Sequence, residues 1–381
     1  MFSEKLKILK DKGLFREIKD RTSPQGPRIT FGEKEYINFS SNDYLGLSTH
    51  TFAIEKAKRA VDDYGYGSGA SRLLGGGSIL HKELEDKITQ FKEAEAALVF
   101  NSGYSANTGI VPAITDEDSE IFSDEFNHAS IIDGCRLSKA QTLIFRHKDL
   151  NHLEGLLKKK TSKKRIIVTD TVFSMEGDIA PVGELFELCK KYDALLYLDD
   201  AHGTGVLGNG KGALSHFDIR PEPWIIQMGT FSKALGSLGA FVAGSLEVIG
   251  WIVNTARSFI FSTTLPPCIV AASKAALDLI EKDSELIDRL WTRRNYAAGL
   301  LKDIGHDIME SETPIIPLRM ETVENALKVS GHLYKRGIFA PAIRPPTVRE
   351  PRIRITVTAA HTAEDIERLI EALKELKNKK H

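Results

Sequence analysis

Cysteine is scarce in this chain: Cys135, Cys189 and Cys268 are the full set, an odd number with no C-x-x-C spacing. That argues against a disulfide framework and a structural zinc site and suits a reducing compartment, so the expected location is the cytoplasm. Net charge is scarce as well. The 51 basic and 52 acidic residues leave a formal charge of −1, and no global field draws the protein to a nucleic acid or an anionic membrane. Long apolar runs are missing: Gly239–Val253, the greasiest stretch, is broken by Glu247 and three glycines. It falls short of the ~20 apolar residues that span a bilayer. Residues Met1–Lys7 mix charges and lack the apolar region of a signal peptide, so the protein is expected to stay where it is made. The eleven histidines show no ligand spacing such as H-E-x-x-H, and no metal is expected. Neither repeats nor low-complexity segments occur.

What is present is enough apolar residue, 42% of 381 positions, to bury a large core; at about 150 residues per domain the length corresponds to roughly 2.5 domains. Short β-branched runs alternate with helical stretches. Strands are expected at 97–100, 120–123, 142–146, 165–171, 195–199, 224–228 and 240–243, most of them apolar on both faces as in a covered parallel sheet. Between them, Leu84, Ile88 and Phe91 repeat at helical spacing within 81–91, and 182–192 reads as a second helix. This β-α-β alternation predicts an α/β domain with a mostly parallel sheet. Residues 1–46 read as an arm, with an amphipathic helix, a Pro/Gly connector and a hairpin near Phe31–Ile37. Residues 47–284 form the large domain, and 285–381, with a long helix, strands at 315–319 and 352–357 and a terminal helix, a smaller α+β domain.

Three stretches imitate other functions. Gly65–Ala70 matches G-x-G-x-x-A, but a helical segment rather than a strand precedes it, so a glycine loop near an active site is the better reading than dinucleotide binding. Gly205–Gly212 approaches a P-loop, yet Gly212 stands where a magnesium-holding hydroxyl is needed, and a surface turn is expected. The basic run Lys158–Arg165 reads as a solvated helix end on the negative side of the helix dipole, with contact to an acidic carrier or coenzyme A phosphate as the alternative.

Polar, ionisable residues cluster where buried strands end, which is where α/β sheets place their ligands. One strand runs into Asp199-Asp200-Ala201-His202-Gly203-Thr204-Gly205, and the next into Gly229-Thr230-Phe231-Ser232-Lys233. A lysine set among small residues can be desolvated, its pKa lowered, and serve as a Schiff-base former. Ser102-Gly103-Tyr104 joins a strand to a helix, so its N–H groups suit a phosphate, and His128 offers a flat imidazole at another such junction. A phosphate cradle, a carboxylate, a stacking ring and a Schiff-base lysine are together the parts that hold pyridoxal phosphate as an electron sink.

Through Asn38–Leu47, Asn127–Gly134, Val172–Asp178, Asp199–Gly205, Thr230–Gly236, Ala342–Val348 and Arg352–His361, nearly the whole chain resembles the α-oxoamine synthases, fold-type I pyridoxal-phosphate transferases. The resemblance implies that Lys233 forms the Schiff base and later moves the substrate's α-proton, that Asp199 pairs with the pyridine nitrogen and that His128 stacks on the ring. It implies that His202 and Ser174 bond near the phenolic oxygen, while Thr230, Ser102 and the Gly103–Tyr104 backbone hold the phosphate. Arg354 matches the arginine that takes the amino acid's carboxylate, as its bidentate fork suits. Arg16, Asn42 and Thr347 match positions near the substrates, Arg16 at the distal end of the acyl chain. The family's site lies at a homodimer interface, where Thr263 would reach the partner's cofactor phosphate. Expected substrates are L-alanine and a pimeloyl thioester of coenzyme A or a carrier protein; the alternative pair is glycine and acetyl-CoA. Two departures stand out: Asp170 occupies a position where many relatives carry Glu, and the connector Val348–Arg352 is shorter than usual.

Overall fold

The structure is a computed structural model of the chain that describes residues 2–159 and 164–378; 160–163 of the basic run lie outside the described residues. Two compact units divide it. The larger comprises His50–Ser174 and Ile179–Ile287; the smaller combines the residues up to Thr49, Met175–Asp178 and those from Asp288 on.

In chain order the strands are β1 (Arg28–Phe31), β2 (Lys34–Asn38), β3 (Ala96–Phe100), β4 (Ser119–Asp124), β5 (Gln141–Phe145), β6 (Lys164–Asp170), β7 (Ala194–Asp199), β8 (Ile225–Thr230), β9 (Ala240–Gly244), β10 (Ile315–Arg319), β11 (Ile338–Phe339), β12 (Ala342–Ile343) and β13 (Arg352–Thr356). The larger unit holds a seven-stranded sheet ordered β3-β9-β8-β7-β6-β4-β5. From β8 to β5 every pairing is parallel, whereas β9 runs antiparallel to both neighbours. Central strands β4, β8 and β9 are buried along their full length, as a sheet covered on both faces requires. β5 departs from this: it is an edge strand, with Gln141, Thr142 and Ile144 exposed. Helix Gly103–Ala113 lays Ala106, Ile110 and Val111 on Ile166, Val168 and Tyr197 of the sheet in one buried cluster.

Several connections at the carboxyl ends of these strands are buried too. Asp200, one residue past β7, is 2% exposed. Its carboxylate accepts hydrogen bonds from Lys92 Nζ at 2.7 Å, Thr171 Oγ1 at 2.7 Å, Thr204 Oγ1 at 2.8 Å and the Ala213 N–H at 3.1 Å. Lys92 Nζ also donates to the Lys211 carbonyl at 2.6 Å. Gly205–Gly212 is therefore not the surface turn expected from the sequence. Most of it is buried, and Gly212 lies so close to Asp200 that a Cβ there would come within 1.9 Å of Oδ2. Glycine is required at that position for approach as well as for its φ of 106°.

The smaller unit has two three-stranded sheets, β1-β2-β11 and β10-β13-β12. Ile37, Phe39, Leu301, Ile316, Ile353 and Leu369 belong to its core. Met175–Asp178 is held to the other segments by backbone bonds from Glu312 and Thr313 to the Gly177 carbonyl and by a pair between Arg352 and Glu176 at 2.9 Å. Among the described residues no helix is long and apolar enough to cross a membrane, and no cluster of metal-ligating side chains occurs.

Removing Lys92 leaves a buried carboxylate without its cation, a change that costs roughly 3–5 kcal/mol. Lys92→Met should therefore lower unfolding stability by that amount in urea titrations, while Lys58→Met, whose partner Glu55 is exposed, should change it by less than about 1 kcal/mol.

Candidate active site

Four strand ends of the larger unit carry the ionisable residues. Asp199 is the last residue of β7 and is 3% exposed. One of its oxygens accepts from the Ala201 N–H at 3.0 Å and the other from Asn107 Nδ2 at 2.7 Å. Asp170, the last residue of β6, stands directly across from it in the parallel register. Two neighbouring buried carboxylates do not both keep an ordinary acidity. Burial, and then the charge on Asp199, push the Asp170 carboxyl well above the usual carboxylate range, against the opposing pull of the His128 N–H and Lys233.

His128 is the N-cap of the helix Ala129–Leu137, four residues past the end of β4. Its backbone N–H donates to Asp170 Oδ2 at 2.6 Å. Asn127 clamps the same turn, donating to Ser123 Oγ at 2.9 Å and the Val168 carbonyl at 2.8 Å and accepting the Asp170 N–H at 2.9 Å. Burial lowers the imidazole's pKa from its ordinary value; Asp199 opposes that shift and Lys233 adds to it. The expected cluster of Lys233, Asp199 and His128 is thus brought together, and Asp170, whose role the sequence left open, joins it. Lys233 itself is half-buried in a turn after β8, closed by a bond from the Gly236 N–H to the Lys233 carbonyl at 2.8 Å.

The expected phosphate residues divide into two groups. Ser102 caps the helix Gly103–Ala113, its hydroxyl accepting from the Ser105 N–H at 3.1 Å. Gly103 lies against the end of β8, where a Cβ would come within 2.8 Å of Thr230 Cγ2. Thr230 is buried, and its hydroxyl donates a long bond, 3.5 Å, to the Ala201 carbonyl. A helix N-terminus pressed by glycine onto a threonine is a cradle for an anion. Tyr104 contributes only backbone to it, because its side chain is about half exposed and bonds Asp133 instead. Thr263 stands apart: it is exposed, forms a bridge with Ser71 and is not hydrogen-bonded to Ser102 or Thr230. His202 is buried in the turn after β7, and Ser174 is half-buried in the loop after β6.

Apart from His128, which lies in the larger unit, the expected substrate residues lie in the smaller unit and form two pairs. Arg354 on β13 is 7% exposed; it donates to Asn42 Oδ1 at 3.0 Å and to Thr356 Oγ1 at 2.9 Å. Tyr44, fully buried nearby, is pushed up to about 12 by burial, with Arg354 pulling the other way. Arg16 donates to Thr347 Oγ1 at 3.1 Å, and both side chains are exposed.

Sequence reasoning passed over Asn107, Ser130 and Tyr197. Asn107 and Ser130 join the Asp199 and His128 side chains through bonds of 2.7–2.8 Å, and Tyr197 donates to Asn107 Oδ1 at 2.6 Å. The available signal was an asparagine one turn inside an otherwise small and apolar helix, and a tyrosine inside an apolar strand, each of which needs a buried partner.

The parts at the strand ends of the larger unit suit pyridoxal phosphate, and the fold is of the aminotransferase type. A family model described as aminotransferase class I and II matches residues 34–373. The chain belongs to that family and stands, within it, beside proteins named as synthases of 8-amino-7-oxononanoate. It is 53% identical over 98% of its length to a putative 8-amino-7-oxononanoate synthase of Thermodesulfovibrio yellowstonii, of which it covers 96%. The 8-amino-7-oxononanoate synthase of Thermoanaerobacter pseudethanolicus is 45% identical over 98% of this chain and 95% of that one. Among solved structures, a serine palmitoyltransferase from S. paucimobilis with bound PLP and myriocin superposes with a TM-score of 0.94 at 27% identity, over 99% of this chain and 96% of that one. An 8-amino-7-oxononanoate synthase from Francisella tularensis gives 0.79 at 28% identity, over 91% and 99%. Family and site agree on pyridoxal phosphate as the cofactor. The residues fit it: a buried carboxylate for the pyridinium, a backbone cradle that glycine alone permits, and an amine that shifts both His128 and Asp170.

Asp199→Asn keeps the shape of the strand end but removes the charge that would hold a protonated ring nitrogen. Its expected effect is a turnover at least about 100-fold lower, with an altered cofactor absorption band, measured by steady-state assay and ultraviolet–visible spectra. Wild-type turnover and spectrum in this variant would contradict the assignment.

Proposed function

We propose that this enzyme is an acyltransferase that condenses L-alanine with a pimeloyl thioester, giving 8-amino-7-oxononanoate, carbon dioxide and the free thiol of coenzyme A or a carrier protein. The observation that carries the reading is the assembly of Lys233, Asp199 and His128 at the strand ends in a chain 53% identical to a protein named for that product. Bound pyridoxal phosphate supplies the electron sink for the charge that develops at the amino acid's α-carbon.

The chain's own residues do the rest. Lys233 would hold the cofactor's carbonyl carbon and, once the amino acid's own amine has displaced it there, would be the free amine that takes and returns the α-proton. Asp199 keeps the ring nitrogen protonated, and His128 covers one face of the ring. The Ser102–Gly103–Tyr104 turn and Thr230 bind the phosphate, with His202 and Ser174 near the phenolic oxygen. Arg354 takes the amino acid's carboxylate, since its guanidinium is already aligned by Asn42 and Thr356. Arg16, with Thr347, meets the distal end of the acyl chain. The working unit is a homodimer in the cytoplasm, with Thr263 directed to the partner's cofactor. Exposed Tyr66, Leu74 and Phe261 in the same unit support a covered face there.

A product assay pairing L-alanine or glycine with pimeloyl or acetyl thioesters tests this reading. L-Alanine with a pimeloyl thioester should be the pair that releases thiol and carbon dioxide; efficient turnover of glycine with acetyl-CoA in its place would overturn the assignment. In the same assay Arg354→Ala should raise the KM for the amino acid by about 10- to 100-fold, the loss of a charge-assisted hydrogen bond.

A further inference from the structure

Asn107 is completely buried, and each polar atom of its amide has a partner. Nδ2 donates to Asp199 Oδ2 at 2.7 Å and to Ser130 Oγ at 2.8 Å, while Oδ1 accepts from the Tyr197 hydroxyl at 2.6 Å. The amide cannot be turned over. Reversed, it would set its oxygen 2.7 Å from a carboxylate oxygen, two acceptors in contact. Tyr197 supports the same orientation from the other side, because burial, followed by the Asp199 charge, raises its pKa far above the ordinary tyrosine value and it remains a donor.

The consequence passes to Ser130. Its Oγ already accepts an N–H from Asn107, and its remaining neighbour is His128 Nδ1 at 2.7 Å, so the serine proton goes there. The Ser130 N–H approaches the same nitrogen at 3.3 Å. Two donors converge on Nδ1 and leave no place for a proton of its own.

We propose that Asn107 and Ser130 are positioning residues that fix the tautomer of His128, obliging the ring to accept at Nδ1 and carry its proton on Nε2. Asp199 and the stacking ring are then set by one amide. The residue that orients the carboxylate for the pyridinium also decides which nitrogen of the imidazole is the donor. Nε2 has no hydrogen-bond partner among the described residues, so its proton is the ring's one donor for a bound ligand. The geometry stands independently of the cofactor; its catalytic consequence rests on the pyridoxal-phosphate reading.

The test is nitrogen NMR of the holoenzyme carrying ¹⁵N-histidine, with His128 assigned by its absence in His128→Gln. Wild type should show an unprotonated Nδ1 and a protonated Nε2. Ser130→Ala, which removes the hydroxyl and leaves only the longer backbone N–H contact on Nδ1, should show a mixture of tautomers and a lower kcat at unchanged cofactor occupancy, and Ser130→Thr, which restores a hydroxyl, should recover the single tautomer and kcat. A wild-type ring protonated on Nδ1 overturns the proposal without any variant having to fold. So does Ser130→Ala with the wild-type tautomer retained. Occupancy, read separately from the cofactor absorbance, distinguishes the two readings: failure to take up pyridoxal phosphate with the Nε2–H tautomer intact would count against the cofactor and uphold the tautomer assignment.

Discussion

The site depends on the end of β7, where two consecutive buried carboxylates are turned to different partners. Asp200 is held by a lysine, two hydroxyls and a backbone N–H. Asp199 is held by one amide and one backbone N–H. The first pairing makes the turn rigid, since a buried ion pair fully supplied with hydrogen bonds is costly to break. The second leaves Asp199 with capacity to spare, as a carboxylate that receives only two N–H bonds can accept more. Anchoring and chemistry are thereby divided between adjacent residues.

From that end the arrangement spreads across the sheet. Parallel register sets Asp170 opposite Asp199, and the Asp170 carboxyl takes the N–H of His128. An aspartate at position 170 is thus suited to a positional role, since its side chain reaches the backbone N–H it must hold. On the other flank β8 delivers Thr230 to the glycine that opens the helix Gly103–Ala113. Asp170, Asp199, His128, Thr230 and Lys233 each sit at or within four residues of a strand end, and the strands are fixed by burial on both faces.

Much of this was legible in the sequence. Apolar runs separated by helical spacing give the β-α-β order, because a strand covered on both faces has nowhere to place a polar residue, and the polar residues that follow each run mark the strand ends. Lys233, Asp199 and His128 were readable for that reason. The glycine stretch 205–212 was misread: glycines usually signal exposed turns, whereas here they permit close approach to a buried acid. Asn107 and Tyr197 were illegible as functional residues, since their meaning lies in partners more than 85 positions away that only folding brings within 2.7 Å. Lys92 lies 108 positions from Asp200 and was hidden in the same way.

The central claim is that Lys233 is the residue that carries the cofactor. Borohydride reduction of the purified protein loaded with pyridoxal phosphate, followed by peptide mass mapping, tests it most directly. The account predicts loss of the cofactor's colour and a phosphopyridoxyl group on the peptide containing Lys233, absent from Lys233→Ala. A reduced cofactor fixed to another lysine, or a protein that takes up no pyridoxal phosphate, would contradict it.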